Sequence, residues 1–253
     1  MFTGTRRLIK LAWAIALALI EKQPGNSIGE RAVWQQKQAR RMLRALETQV
    51  TITGKIPTHG LVVCNHLSYL DVLVIAAQSP LVFVAKSDVR HWPVIGLLLK
   101  SAGTILAERN RPSSASDTAQ GIRAVFESGL PVVLFPEGTS SDGSNVLPFK
   151  PTLFQIALDC QTTITPAAIH YQAETGDIAH DVCYWGDHTL VSHMIRLAKV
   201  KGLRATLRIG ETPSLPDNRK AAAQLLHAKV QKLFFTEKTQ LSNIPCALSS
   251  ARF

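Results

Sequence analysis

The sequence predicts an α/β fold: a mostly parallel sheet flanked by helices and preceded by an N-terminal pair of helices. Three observations predict it. Of the 253 residues, 46% are hydrophobic and 18% are charged, which is ample apolar surface for a large core and too little charge for a disordered chain. From residue 50 onward, short β-branched runs alternate with helical stretches, the pattern of strands joined by crossover helices. Ahead of them stand one apolar and one basic stretch, both with helical patterning.

The apolar stretch, residues 11–20 (LAWAIALALI), carries no charge. As a helix it rises about 15 Å, half of the roughly 30 Å hydrocarbon core of a bilayer, so it does not span one unaided. Arg6, Arg7 and Lys10 precede it in the manner of a signal peptide, but Glu21 and Lys22 follow at once and no small-x-small cleavage site stands behind it. Pro24, Gly25, Asn26 and Ser27 then break the pattern. The next stretch sets Val33, Trp34 and Leu43 beside Lys37, Arg40, Arg41 and Arg44, a basic amphipathic helix. Residues 1–48 are therefore expected to form a membrane-associating hairpin, apolar side down and arginines among anionic headgroups. The competing fate is packing on the protein's own core.

Residues 49–238 hold the α/β domain, with strands expected at 50–53, 61–64, 82–85, 104–106, 131–135, 163–169, 182–184 and 205–209. Helices are expected at 69–78, 94–100, 116–128, 152–159, 189–199 and 218–238. Residues 239–253 lack periodicity and read as a loose tail.

In an open α/β sheet, ligands bind beyond the carboxyl ends of strands, and three such segments carry chemistry. The first holds His66 and Asp71. On one helix, residues five apart diverge by about 140°, so the two meet only if His66 lies in a turn. Ser68 supplies the break: it is a good N-cap with Asp71 three residues on, so a helix can start at Tyr69 while His66 folds back. An imidazole held at one nitrogen by a carboxylate presents the other as a general base toward an alcohol. The plainer reading is a capping box of Ser68 and Asp71, with His66 filling a turn.

The second segment runs Phe135, Pro136, Glu137, Gly138, Thr139, Ser140, Ser141. A glycine among hydroxyls at a strand end is material for a phosphate or oxyanion cradle, although the Gly-Lys-Ser/Thr ending of a Walker loop is missing; an ordinary β-turn uses the same residues. The third is Arg109, past the short strand at 104–106, where a guanidinium either forks onto a phosphate or is merely solvated.

Together and in this order, the motifs resemble the membrane-associated glycerolipid acyltransferase family, whose type members make phosphatidic acid from lysophosphatidic acid. The resemblance covers residues 62–170. It implies that His66 is the general base on the glycerol hydroxyl and that Asp71 orients it. Arg109, Glu137, Gly138 and Thr139 are implied to hold the acceptor's phosphate, and Pro166, within Thr165-Pro166-Ala167-Ala168, to belong to acyl-chain binding. Two positions depart from the family pattern: Glu108 stands where an aspartate is common, and Pro151 follows Lys150 where a lysine-like residue is usual. The implied donor is an acyl carrier protein or coenzyme A thioester, the acceptor a membrane lipid, and the location the cytoplasmic face of the inner membrane in monotopic or peripheral form. No cofactor or metal is implied, and no histidine pair has HExxH spacing.

A sister activity competes. Tyr184, Trp185, Gly186 and Asp187 resemble a feature of bacterial lyso-ornithine lipid acyltransferases, whose acceptor headgroup carries no phosphate; packing of Trp185 in the core is the plainer reading. Lys and Arg number 28 against 18 for Asp and Glu, a balance of +10, which asks for an anionic partner. An anionic membrane surface suits it better than nucleic acid, because aromatics are only 6% of the chain and RNA recognition uses exposed aromatics among basic residues. Cys64, Cys160, Cys183 and Cys246 form no CxxC pair, as expected in a reducing cytoplasm.

Overall fold

The β-branched runs build one sheet in the computed structural model, which describes residues 2–21, 25–107 and 112–241. Its strands are β1 (Gln49–Thr53), β2 (Gly60–Cys64), β3 (Val82–Lys86), β4 (Ile105–Ala107), β5 (Pro131–Leu134), β6 (Ile164–Gln172) and β7 (Arg204–Ile209). They lie in the order β1-β7-β6-β2-β5-β3-β4. Every neighbouring pair is parallel except β6 with β7, so β1 and β7 run against the other five. At the centre every residue of β2 and β5 is buried. Helices cover both faces there, and a strand buried on both sides reads as a continuous apolar run, not an alternating one.

The helices are α1 (Phe2–Ile20), α2 (Ile28–Ala45), α3 (Tyr69–Ala76), α4 (Ile95–Ala102), α5 (Pro112–Glu127), α6 (Phe154–Asp159), α7 (Leu190–Lys199) and α8 (Arg219–Leu241). Helix α2 starts at a full capping box, Ser27 with Glu30. The expected helix at 152–159 is a 3-10 turn running into α6. The strand expected at 182–184 does not form. Ile178–Val182 is a single π-helical turn, and Tyr184 donates its N–H to Leu67 O at 2.8 Å. Both flanks of the neighbouring strand β6 are already taken by β2 and β7, so this segment has no sheet edge to join and lies along the turn after β2 instead. Of the tail, residues 242–253 lie outside the described residues.

The N-terminal helices are built into the core. Helix α1 packs against α2 and α7, and α2 against α3. Leu11, Ala14 and Ala18 of α1 and Trp34, Ala39, Met42 and Leu43 of α2 belong to the same buried cluster as the sheet. The arginines expected among headgroups are partly engaged within the protein. Arg41 reaches Glu21 at 2.5 Å and Gln38 at 2.9 Å, and Arg40 donates to Ala77 O at 2.7 Å. An amphipathic pattern sets which side chains share a face, not what that face meets.

Glu47, in the left-handed region at φ 57°, gathers Arg6 (2.7 Å), Arg7 (3.0 Å) and Lys10 (3.1 Å), while Arg7 also donates to Val200 O after α7. Hydrogen bonds from Arg41 hold the Glu21 carboxyl down to about 2, and those from Lys10 and Arg7 do the same for Glu47. The outer face of α1 stays open, with Ile9, Trp13 and Ile20 each about two-thirds exposed or more. Among the described residues, no helix is long and apolar enough to cross a membrane.

Candidate active site

Strand β2 stops at Cys64, paired with Ala167, while β6 continues to Gln172. Asn65 fills the step: its side-chain N–H donates to Ile169 O at 3.0 Å and its carbonyl accepts Ile169 N–H at 2.8 Å. The chain then turns through His66 and Leu67 to Ser68, which is extended (φ −160°, ψ 160°), and α3 begins.

Asp71, in the first turn of α3, is 0% exposed. Its Oδ2 accepts the N–H groups of Leu67 (2.7 Å) and Ser68 (2.9 Å) and lies 2.7 Å from His66 Nδ1. Its Oδ1 accepts the Tyr171 hydroxyl at 2.7 Å. Among the described residues the buried Ser68 hydroxyl has no hydrogen-bond partner, so the carboxylate carries the cap. One carboxylate thus caps the helix and holds the His66 ring.

Because that carboxylate can only accept, His66 Nδ1 bears the proton and Nε2 presents a lone pair. The imidazole stacks on Phe135, ring centroids 4.2 Å apart and 16° from parallel. Its side chain is 21% exposed, and among the described residues Nε2 has no hydrogen-bond partner. The result is an imidazole fixed at the carboxyl end of the sheet and open on one side, the geometry a general base requires.

Glu137 lies in the same cluster but not in the expected posture. It is 2% exposed, its Oε1 accepts His66 N–H at 2.9 Å and its Oε2 accepts Leu147 N–H at 3.2 Å. Burial pushes its carboxyl up to about 8, against the lowering effect of those two N–H groups. A buried carboxyl with both oxygens on backbone does not take a phosphate; it ties the turn after β5 to the backbone of His66. The tie is doubled by Ser141 N–H on His66 O at 3.0 Å. Gly138, at φ +68°, makes the turn possible, since a side chain there would be strained, and Thr139 beyond it is exposed.

Glu108 and Arg109 lie outside the described residues. Pro166 is buried within β6, opposite Val63, at the point where β7 peels away and Gly210 N–H bonds to Pro166 O at 2.8 Å. That is a core position of the sheet rather than a place beside His66, so the acyl-chain role implied for it is not what its surroundings express.

Two features escaped sequence reasoning. One is Tyr171. The other is an aromatic wall beside the turn: Tyr69 OH bonds to His193 Nδ1 at 3.0 Å, His193 Nε2 to Cys183 O at 3.0 Å, and Tyr184 packs edge-on against both Tyr69 and Trp92. Burial holds His193 down to about 4, so it stays neutral and serves as a strut. Trp185 is 43% exposed rather than packed in the core. Cys64 is fully buried and its thiol is pushed up by that burial, which fits a small strand residue and not a nucleophile.

The sequence model described as Acyltransferase matches residues 47–170. A lyso-ornithine lipid O-acyltransferase of Pseudomonas aeruginosa is 31% identical over 186 residues, 73% of this chain and 70% of that protein. The chain belongs to the acyltransferase family. The 1-acyl-sn-glycerol-3-phosphate acyltransferase of Neisseria meningitidis serogroup B is 32% identical over 158 residues, 58% of this chain. The match spans 62% of that relative's own length, a little under two thirds. The crystal structure of the 1-acyl-sn-glycerophosphate acyltransferase from Thermotoga maritima superposes with a TM-score of 0.68 at 17% identity, covering 98% of this chain and 97% of that one. The acyltransferase fold, N-terminal helices included, is therefore shared across nearly the whole length.

Proposed function

We propose that this acyltransferase moves a fatty acyl group from a thioester donor, acyl carrier protein or coenzyme A, to the free hydroxyl of lysophosphatidic acid, giving phosphatidic acid. The observation that carries the reading is the His66–Asp71 pair at 2.7 Å, with Nε2 free to accept a proton. The acceptor hydroxyl gives its proton to Nε2 as its oxygen attacks the thioester carbonyl. The carbon–sulfur bond then breaks, and the thiolate leaves with the proton from the imidazolium. Asp71 stabilises the transient positive charge on the ring. Arg109, Gly138 and Thr139 are proposed to meet the acceptor's phosphate, while Glu137 positions the His66 backbone. Nothing in this sequence of steps calls for a metal or cofactor.

A second reading, acylation of lyso-ornithine lipid, is favoured by one observation: the Pseudomonas match runs over 186 residues against 158 for the Neisseria protein. The same base serves, with the ornithine carboxylate in place of the phosphate. The deciding experiment offers each lyso-lipid separately to purified protein in liposomes with a labelled thioester. Acylation of lysophosphatidic acid alone supports the leading reading, and preference for the ornithine lipid replaces it with the second. No acylation of either with both donors defeats both.

The enzyme is further proposed to sit on the cytoplasmic face of the inner membrane by the outer stripe of α1, where an apolar face of this size wants cover. Deleting residues 1–48 is a poor test, because Leu11, Ala14, Ala18, Trp34 and Met42 belong to the core. Trp13, 65% exposed, is the better target. Trp13→Asp is expected to lower co-sedimentation with phosphatidylglycerol vesicles severalfold without changing Tm; undiminished retention would remove α1 from the membrane contact.

A further inference from the structure

We propose that Tyr171 is a positioning residue of the His66–Asp71 pair, acting through the Asp71 carboxylate from a strand the pair does not belong to. The inference rests on the reading of His66 as the general base.

The overhang of β6 makes the contact. Beyond Ala167, the last residue paired with β2, β6 runs past the sheet's carboxyl edge, held at Ile169 by Asn65. Side chains two apart on a strand share a face, and Tyr171, two residues on, reaches Asp71. The carboxylate's oxygens are unequally used: among the described residues Oδ2 faces His66 and two backbone N–H groups, whereas Oδ1 has the Tyr171 hydroxyl alone at 2.7 Å. Tyr171 is 1% exposed, and burial together with Asp71 pushes its phenol upward, so it keeps its proton and donates it. A donor on a carboxylate withdraws electron density, which makes the carboxylate less basic and less able to favour an imidazolium. Tyr171 thereby sets how strongly Asp71 favours a charged His66 ring.

Among the described residues, the other titratable groups facing the pair are Cys64 of β2, Cys183 ahead of α7 and Glu137 after β5. Both thiols are pushed up by burial and stay neutral. Glu137 is held at about 8, but it is unchanged by substitution at 171, so a displacement between variants belongs to Tyr171.

Two variants of the full chain test the idea: Tyr171→Phe, which removes the donor, and 3-fluorotyrosine in place of Tyr171, whose more acidic hydroxyl donates more strongly. The acidic limb of the pH profile of kcat/KM should move to higher pH with phenylalanine and to lower pH with fluorotyrosine. With phenylalanine, kcat/KM should fall by up to about tenfold on the acidic limb, the scale of one hydrogen bond to a charged group, and should not fall on the plateau, where a more basic Asp71 favours the transient imidazolium at least as well. A purely structural tyrosine would change Tm and leave the limb in place in both variants, which would overturn the proposal. Fluorotyrosine keeps ring and hydroxyl, so it remains informative if the phenylalanine variant does not fold, and NMR titration of the His66 ring reads the same two displacements without turnover. His66→Ala, run alongside, separates the claims: loss of activity there with unmoved limbs refutes Tyr171 alone, whereas wild-type rates in His66→Ala refute the base itself.

Discussion

His66→Ala is expected to lower acyl transfer by about 10²- to 10⁴-fold, the range contributed by a positioned general base. The fold should survive, because the side chain is 21% exposed and its backbone anchors, Glu137 and Ser141, bond to the main chain of residue 66 rather than to the ring. The loss should appear in kcat, with KM for either substrate little changed, since the imidazole takes its proton only as the acceptor attacks. Tm by calorimetry and single-turnover transfer in liposomes check both halves. Rates within a few fold of wild type would mean that the stacked, aspartate-held histidine is not the base.

The second large effect is at Asp71, where two substitutions should part company. Asp71→Asn leaves a carbonyl that can take the Leu67 and Ser68 N–H groups and an amide that can turn toward the Tyr171 hydroxyl, so α3 keeps its start. What it removes is the charge facing the developing imidazolium, and activity should drop by about 10²-fold or more with a small change in Tm. The acidic limb should also move to lower pH, because nothing negative then favours the charged ring. Asp71→Ala leaves four buried donors at once, and a single unsatisfied buried group costs about 1–3 kcal/mol. It should therefore lose stability as well as rate. Equal Tm for the two variants would show that the carboxylate does not carry the helix cap.

The parts of this site that were legible in the sequence are those made by neighbours in the chain. His66, Ser68 and Asp71 fall within six residues at a strand end, and the strand–turn–helix geometry that joins them follows from Ser68 as a helix start signal and from the apolar run before it. Tyr171 was not legible. Its contact spans 100 residues and depends on β6 outrunning β2, which no local pattern in either strand records. Glu137 stands at the expected turn with both oxygens on backbone N–H groups; residue type and position say that a carboxylate is near a site, not whether it faces the cleft or the backbone. Likewise Arg40 and Arg41 sit on the expected helix, yet Glu21 and Ala77 meet them. The strand expected at 182–184 failed because sheet membership needs a free edge, a property of the whole topology and not of three residues.

The edge strand β1 carries a consequence for how the protein is made. Its partner in the sheet is β7, so Gln49–Thr53 cannot be seated until Arg204–Ile209 has left the ribosome. At about 5–20 residues per second, that is a wait of roughly 10–30 s. For all of it, α1, which docks on α2 and on α7, lacks half its seat, while the outward Ile9 and Trp13 are open as they are in the finished fold. A nascent chain whose helix α1 waits for α7 and whose edge strand waits for β7 gains from shielding during synthesis, by a chaperone or by the bilayer surface on which the finished enzyme is proposed to work.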